Sequence, residues 1–239
     1  MSLIDLKVVI AAAGEGKRSG LNFPKTLYKI NKVPILIRII KKINYLDKNP
    51  TIIVSQKGKK NIKECINNYN LKAEYLIQKK PNGMGNALLQ FKKSKHFKKT
   101  NYILLIWGDL PYLYKSSINN LIKNFIFERS FFSLLTGFSR SPYTLLVRNK
   151  KNKIIEIKEK RTSNFKSRYG ERDIGIFLFN KKLLNILQKN KKIVAVDGKF
   201  EHNFLYIVKI LHKKNLKISN VDLSNKKEFI SFNSQKDLK

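Results

Sequence analysis

Gly14-Glu15-Gly16-Lys17-Arg18, with Lys25 close behind it after Pro24, combines the two things a phosphate-binding loop needs. Glycines let backbone N–H groups approach an anion closely, and cationic side chains supply countercharge. The apolar run Val8-Val9-Ile10-Ala11-Ala12-Ala13 before it reads as a buried strand that ends at the loop. Ala12, Ala13, Gly14 and Gly16 are therefore candidate nucleotide-binding positions. Arg18 and Lys25 are the candidate catalytic cations. A Walker loop is excluded, because Gly16-Lys17 is followed by Arg18 and the position where the motif needs its first glycine is Ala11. The dinucleotide fingerprint starts at Gly14 and Gly16 but meets Ser19 at its third position. No acidic residue follows at the ribose-binding distance either.

Asp109 is the candidate metal ligand. It follows the apolar run Ile103-Leu104-Leu105-Ile106 and sits between Trp107-Gly108 and Leu110-Pro111. A carboxylate at the end of a central strand suits Mg²⁺, which takes one or two protein oxygens and leaves the rest of its shell to phosphates and water. The competing reading is an Asp that caps the next turn. A second segment, from Gln78 through Gly83-Met84-Gly85, ends a strand and opens a helix. Strand ends on one edge of a parallel sheet converge on a common crevice, so this segment should face the same cleft. There the Gln78 amide could read a base edge and the backbone near Gly83 could approach a planar base.

Glu159, Asp173 and Asn233 are further polar candidates, but taken alone they do not stand out from solvated surface residues. His96, His202 and His212 share no metal-ligand spacing and read as surface residues in lysine-rich helices or turns. No Ser-His-Asp or Cys-His arrangement is discernible. Cys65, the single cysteine, excludes an intramolecular disulfide and reads as a small core hydrophobe.

The elements that must position these groups alternate in the first half. Strands are predicted at 6–12, 51–55, 74–78 and 102–107. Helical patterns lie between them at 35–43, 62–69 and 84–91. This rhythm implies an α/β fold with a mostly parallel central sheet covered by helices on both faces. After a helix at 118–127, strands at 131–136, 143–147, 154–157 and 174–179 suggest a small mixed-sheet extension. Helices at 181–188 and 202–212 and a strand at 217–221 complete the chain. The polar stretch 160–171 reads as a mobile loop.

With 239 residues, 42% hydrophobic content, 15 Phe and 10 Tyr, the chain is long and apolar enough for a sizeable core. One domain with a substrate-binding subregion is the economical reading, with no internal repeat or long linker. No apolar run approaches the roughly 18 residues that cross a bilayer, and a cytoplasmic location is expected. The charge is +34, from 50 Lys and Arg against 16 Asp and Glu. Paired lysines run through the whole chain without forming a dense tail or an aromatic-interleaved stripe. A lysine-heavy solvated surface accounts for this. Nonspecific, salt-sensitive polyanion binding is still expected, and a dedicated nucleic-acid binder is the rival reading.

In order and spacing, Ala12-Ala13-Gly14-x-Gly16-x-Arg18, Pro24-Lys25, Gln78…Gly83, Gly108-Asp109, Glu159 and Asn233 resemble the sugar-phosphate nucleotidyltransferases. Within them they look most like the uridylyltransferase domain of N-acetylglucosamine-1-phosphate uridylyltransferases. The resemblance runs from Val8 to about Asn233. It implies a Rossmann-like nucleotidyltransferase fold, with about 1–130 as the nucleotide-binding half and about 131–239 as the acceptor-binding half. It also implies Mg²⁺-dependent transfer of UMP from UTP to a sugar 1-phosphate, with release of pyrophosphate. By the same resemblance Gly14 to Arg18 wrap the triphosphate and Lys25 contacts phosphates. Gln78, Gly83 and Met84 meet the base, Asp109 and Asn233 hold Mg²⁺, and Glu159 and Asp173 face the acceptor.

The chain departs from the family pattern at the base and the sugar. Gly-Thr becomes Gly83-Met84, Gly-Tyr-Gly-Arg becomes Pro142-Tyr143-Thr144-Leu145, and Asn-Thr-Gly becomes Asp173-Ile174-Gly175. These departures keep open another base, as in a cytidylyltransferase, another acceptor, or a noncatalytic nucleotide-binding role. The chain stops where the family continues into a hexapeptide-repeat acetyltransferase domain, so no acetyltransferase activity is expected.

Overall fold

The structure is a computed structural model that describes residues 5–14, 20–80, 82–163, 165–196, 199–232 and 237. Gly16, Arg18 and Asn233 lie outside the described residues. Strand β1 (Leu6–Ala12) is followed by the short pair β2 (Lys29–Ile30) and β3 (Val33–Pro34), then α1 (Ile35–Ile43). β4 (Thr51–Ser55), α2 (Lys59–Asn68), β5 (Glu74–Gln78), α3 (Gly83–Leu89) and β6 (Tyr102–Trp107) continue the alternation. α4 (Lys115–Phe127) leads into β7 (Phe132–Arg140), the hairpin β8 (Thr144–Arg148) and β9 (Ile154–Glu159), and the short helix α5 (Lys160–Ser163). The chain then runs through β10 (Tyr169–Asn180), α6 (Leu183–Lys189), β11 (Ile193–Val196), β12 (Lys199–His202), α7 (Ile207–Lys213) and β13 (Ile218–Asp222).

Seven strands form the main sheet in the order β13-β7-β10-β6-β1-β4-β5. All neighbours are parallel except β10, which runs antiparallel to both β6 and β7. The alternation of side chains along each strand divides the core between the two faces. Val8, Ile10, Leu104 and Ile106 enter one buried cluster with α1 and α4. Val9, Ile103 and Leu105 enter the other with α3, α6 and α7. Strands buried on both faces have no polar side to show, which is why β1, β4 and β6 read as continuous apolar runs.

Two expectations change. The stretch 160–171 is not one irregular loop: it holds α5 and the first residues of β10. The expected helix at 202–212 begins only at Ile207, because His202 belongs to β12, and the Asn203 side chain accepts the Tyr206 N–H (2.9 Å) in the turn before α7. The mixed extension is present as expected: β7, β10 and β13 continue the main sheet with β10 antiparallel, and β8–β9 and β11–β12 pair beside it. Cys65 is half-buried against the α1 cluster. Among the described residues, no helix is long and apolar enough to cross a membrane.

Candidate active site

The parallel strands β1 and β6 end side by side, with Ala11 opposite Trp107 in register. Gly108 then donates its N–H to Ala11 O (2.9 Å). A Cβ at position 108 would stand 2.9 Å from that oxygen and 3.0 Å from Thr26 Cγ2, so only glycine lets the two segments meet this closely. The contact sets Asp109 against Lys25, whose Nζ pairs with Asp109 Oδ2, the two side chains being 18% and 15% exposed. Asp109 therefore does not cap the following turn. Among the described residues its Oδ1 is buried without a partner, as is Thr26 Oγ1 beside Gly108. Buried polar atoms are almost always paired in folded proteins, so orphans at a cleft mark places where a ligand supplies the partner. Gly14 reaches the same point, its open Cβ position lying 3.8 Å from Lys25 Cε.

The C-terminal segment arrives here as well. Phe232 donates its N–H to Asp109 O (2.8 Å) and stacks on Tyr28 with centroids 4.4 Å apart. The chain that precedes position 233 is thus held at Asp109. Ala12 and Ala13 lie with their side chains in the core, which leaves only their backbone to offer a ligand.

At the end of β5, Gln78 is buried and its Nε2 donates to Gly83 O (3.0 Å) and to Asn86 Oδ1 (3.0 Å). Both donors of the amide are committed to bracing the turn into α3. Gly83 has φ 83°, the left-handed region that suits glycine. Its Cβ position lies 2.8 Å from both the N and the O of His202, and that of Gly85 lies 2.7 Å from the His202 ring. His202 also donates its backbone N–H to Asn82 O (2.8 Å). The glycines therefore admit a close approach by His202 of the chain itself. His202 is 3% exposed, with Nε2 unpartnered among the described residues, and burial pushes its pKa down. This corrects its reading as a surface residue. His96 is half-buried, with Nε2 unpartnered among the described residues, and His212 is partly exposed. Met84 packs its side chain against the α3 face of the core.

Glu159 and Asp173 come together at the far side of the same edge, where β10 passes beyond the end of β6. Both are buried, at 5% and 4% exposure. Asp173 Oδ1 accepts the Thr144 hydroxyl (2.6 Å) and Oδ2 accepts the Gly175 N–H (3.0 Å). Burial pushes its pKa up, against those hydrogen bonds and the Arg172 charge. Arg172 itself donates to Phe229 O (2.9 Å) and lies over the Phe229 ring. Glu159 Oε1 accepts from Asn203 Nδ2 (2.6 Å), and Oε2 accepts from Arg161 Nε (2.9 Å). Among the described residues no group of three His, Cys, Asp or Glu side chains forms a metal cluster.

Thr144, Arg161, His202 and Asn203 are the members of this edge that sequence reading missed. The one available signal was Gly83-x-Gly85, which announces a close approach without saying by what.

A cleft edge that joins phosphate-seeking backbone to a lysine–carboxylate pair suits movement of a nucleotidyl group, and the class defined here is nucleotidyltransferase. A profile of the MobA-like NTP transferase domain matches residues 8–161, and the chain belongs to that family. It is 31% identical over 238 residues to the bifunctional protein GlmU of Buchnera aphidicola subsp. Schizaphis graminum, covering 97% of this chain and 49% of that protein. It is 33% identical over 210 residues to the bifunctional protein GlmU of Wigglesworthia glossinidia brevipalpis, covering 82% and 44%. The chain thus spans about half the length of these curated relatives. Two solved structures share the fold. A Bacillus anthracis protein assigned as a glucose-1-phosphate thymidylyltransferase aligns with TM-score 0.75 at 19% identity, covering 98% of this chain and 92% of its own. The inositol-1-phosphate CTP transferase of T. maritima aligns with TM-score 0.72 at 15% identity, covering 99% and 92%.

Proposed function

We propose that the chain transfers a nucleoside monophosphate, UMP from UTP, to a sugar 1-phosphate and releases pyrophosphate. The observation that carries this reading is the Lys25–Asp109 pair at the junction of the β1 loop and the end of β6. An acceptor phosphate oxygen attacks the α-phosphorus in line. The bond from that phosphorus to the bridging oxygen breaks, and the electron pair leaves with pyrophosphate. No protein nucleophile is needed, because positioning and charge neutralisation do the catalysis. The backbone of Ala12, Ala13, Gly14 and Gly16 holds the triphosphate. Arg18 and Lys25 stabilise the departing charge, Gln78, Gly83 and Met84 form the base end, and Glu159 and Asp173 form the acceptor end.

Asp109, with one carboxylate oxygen unpartnered among the described residues, offers the hard oxygen donor that Mg²⁺ prefers, and with Asn233 it would hold that ion. Bound there, Mg²⁺ would neutralise charge on the transferring phosphates. The chain is read as one domain acting in the cytoplasm, and its charge favours encounter with anionic substrates. Salt-sensitive polyanion binding accompanies that charge as a nonspecific property.

A second reading keeps the reaction and changes the base. The Gln78 amide donors are spent inside the chain, so recognition falls on the backbone of the 82–85 turn, which restricts the base less than a side-chain amide would. Mass spectrometry of products formed from UTP, CTP, TTP, ATP and GTP separates the two readings. A UDP-sugar as the main product supports the first, and a CDP- or TDP-linked product supports the second.

A further inference from the structure

The β11–β12 hairpin touches both substrate ends at once. On one side β12 lies against α3, where His202 covers Gly83 and Gly85 and is tied to Asn82 O. On the other side β11 lies against α5, whose Arg161 reaches in two directions. Its Nε donates to Glu159 Oε2 (2.9 Å), and its Nη1 stands 3.2 Å from Glu201 Oε2, on the residue next to His202. Asn203 closes the loop, since its Nδ2 donates to Glu159 Oε1 (2.6 Å) and its Oδ1 accepts the Tyr206 N–H (2.9 Å). Its own N–H donates to Lys192 O (2.8 Å), tying the base of the hairpin together.

Arginine suits this place for a physical reason. A planar guanidinium can present separate N–H groups to two carboxylates in fixed directions, which a lysine ammonium does not do. Burial penalises the Arg161 charge, but Glu159 foremost, with Tyr143 and Glu201, holds its pKa above the ordinary value. Both carboxylates keep their partner, and the two segments that carry them cannot shift independently. Ile193 and Phe200 of the hairpin are 50% and 74% exposed.

We propose that the β11–β12 hairpin is a strut between the nucleotide turn and the acceptor end, and that Arg161 is the positioning residue that fixes it. Arg161 is bonded to Glu159 at the acceptor end, and its state is transmitted to the nucleotide turn through Glu201 and His202 to Gly83 and Gly85. Nucleotide and acceptor are then coupled: whichever binds first orders the strut for the other. The coupling rests on the proposed function, whereas the strut itself does not.

The test combines hydrogen exchange with steady-state kinetics on the full chain, for wild type, Arg161→Met, Arg161→Lys and Glu201→Gln. The strut predicts faster exchange in Arg161→Met both at 193–202 and at 82–89, with β1 and β6 unchanged. It predicts a rise in KM for the nucleotide of about fivefold or more, exceeding the fall in kcat, although the substituted residue lies at the other end. Arg161→Lys should restore part of both effects. The double variant Arg161→Met with Glu201→Gln should be no worse than Arg161→Met alone, because both remove one link. Faster exchange confined to 193–202, or effects of the two substitutions that simply add, would overturn the strut. If Arg161→Met does not fold, Glu201→Gln alone gives the same exchange readout. Exchange needs no turnover, so a chain silent with every nucleotide would count against the proposed function while the strut is still decided.

Discussion

Lys25 and Asp109 neutralise each other across the gap between the β1 loop and the end of β6, and among the described residues only one oxygen of Asp109 is spent in doing so. The pair holds a cation and an anion ready at one point without leaving either charge buried alone. Asp109→Asn removes the charge at almost constant shape. We expect kcat to fall by about a hundredfold or more while the chain still folds, with a lower melting temperature because the Lys25 charge loses its partner. Near-normal turnover in that variant would remove Asp109 from the site.

Lys25→Ala acts differently, because a phosphate contact exists before as well as during transfer. Both KM for the nucleotide and kcat should worsen. Together with Asp109→Asn the loss should be smaller than the product of the single losses, since the two side chains act on each other. Unchanged kinetic constants in Lys25→Ala would reduce Pro24-Lys25 to a turn.

Gly85→Ala sets two effects against each other. Alanine improves helix propensity by up to about 1 kcal/mol over glycine. Its Cβ, however, would lie 2.7 Å from the His202 ring, which is pinned by its backbone bond to Asn82 O. Overpacking of this kind costs about 1–3 kcal/mol, so destabilisation should win. Thermal unfolding checks it, and His202→Ala introduced beside Gly85→Ala should recover much of the loss. A more stable Gly85→Ala single variant would show that the hairpin yields easily.

Asp173 supplies the pH dependence. Burial raises its pKa in the folded chain above the unfolded value of about 3.9. The folded state thus favours the protonated acid. Relative to a residue that does not titrate, the contribution of Asp173 is fully present below the unfolded pKa and is lost as pH rises through the folded one. Asp173→Asn keeps one acceptor for the Gly175 N–H and gains a donor for the Thr144 oxygen. Its melting temperature should match wild type near pH 3.5 and exceed it increasingly as pH rises through the folded pKa of Asp173. A gap that shrinks as pH rises would contradict the assignment.

The same side chain bears on the acceptor. A carboxylate already engaged by Thr144 and the Gly175 N–H has lost the donors that an amide at this position would offer. N-acetylglucosamine 1-phosphate should be a poor acceptor for the wild type beside glucosamine 1-phosphate or other sugar phosphates, and a better one for Asp173→Asn. Comparing kcat/KM across these acceptors decides it. A wide preference of the wild type for N-acetylglucosamine 1-phosphate would sink the inference.

The strands β1, β4, β5 and β6 and helix α1 were legible because their apolar spacing is local and uninterrupted. The β11–β12 hairpin was not, since its apolar residues, such as Ile193 and Phe200, are largely exposed and set among lysines. Asp197-Gly198 between them is a hairpin signal in the sequence that apolar periodicity alone passes over. His202 was drawn into the following helix because Phe204, Leu205, Val208 and Leu211 continue an apolar stripe toward it. In the site, the glycine-rich loop, Lys25 and Asp109 announce themselves by local pattern. The Thr144–Asp173 bond and the reach of Arg161 to Glu159 and Glu201 do not, because they depend on which turns the sheet brings together.

The central claim is nucleotidyl transfer at the Lys25–Asp109 edge, and pyrophosphate release tests it most directly. Purified chain with Mg²⁺ should release pyrophosphate only when a nucleoside triphosphate and a sugar 1-phosphate are both present. UTP should be the preferred donor, one nucleotide-sugar should form for each pyrophosphate, and Asp109→Asn should abolish the signal. No release across the full panel of triphosphates and sugar phosphates, from a folded chain that binds nucleotide, would contradict the account.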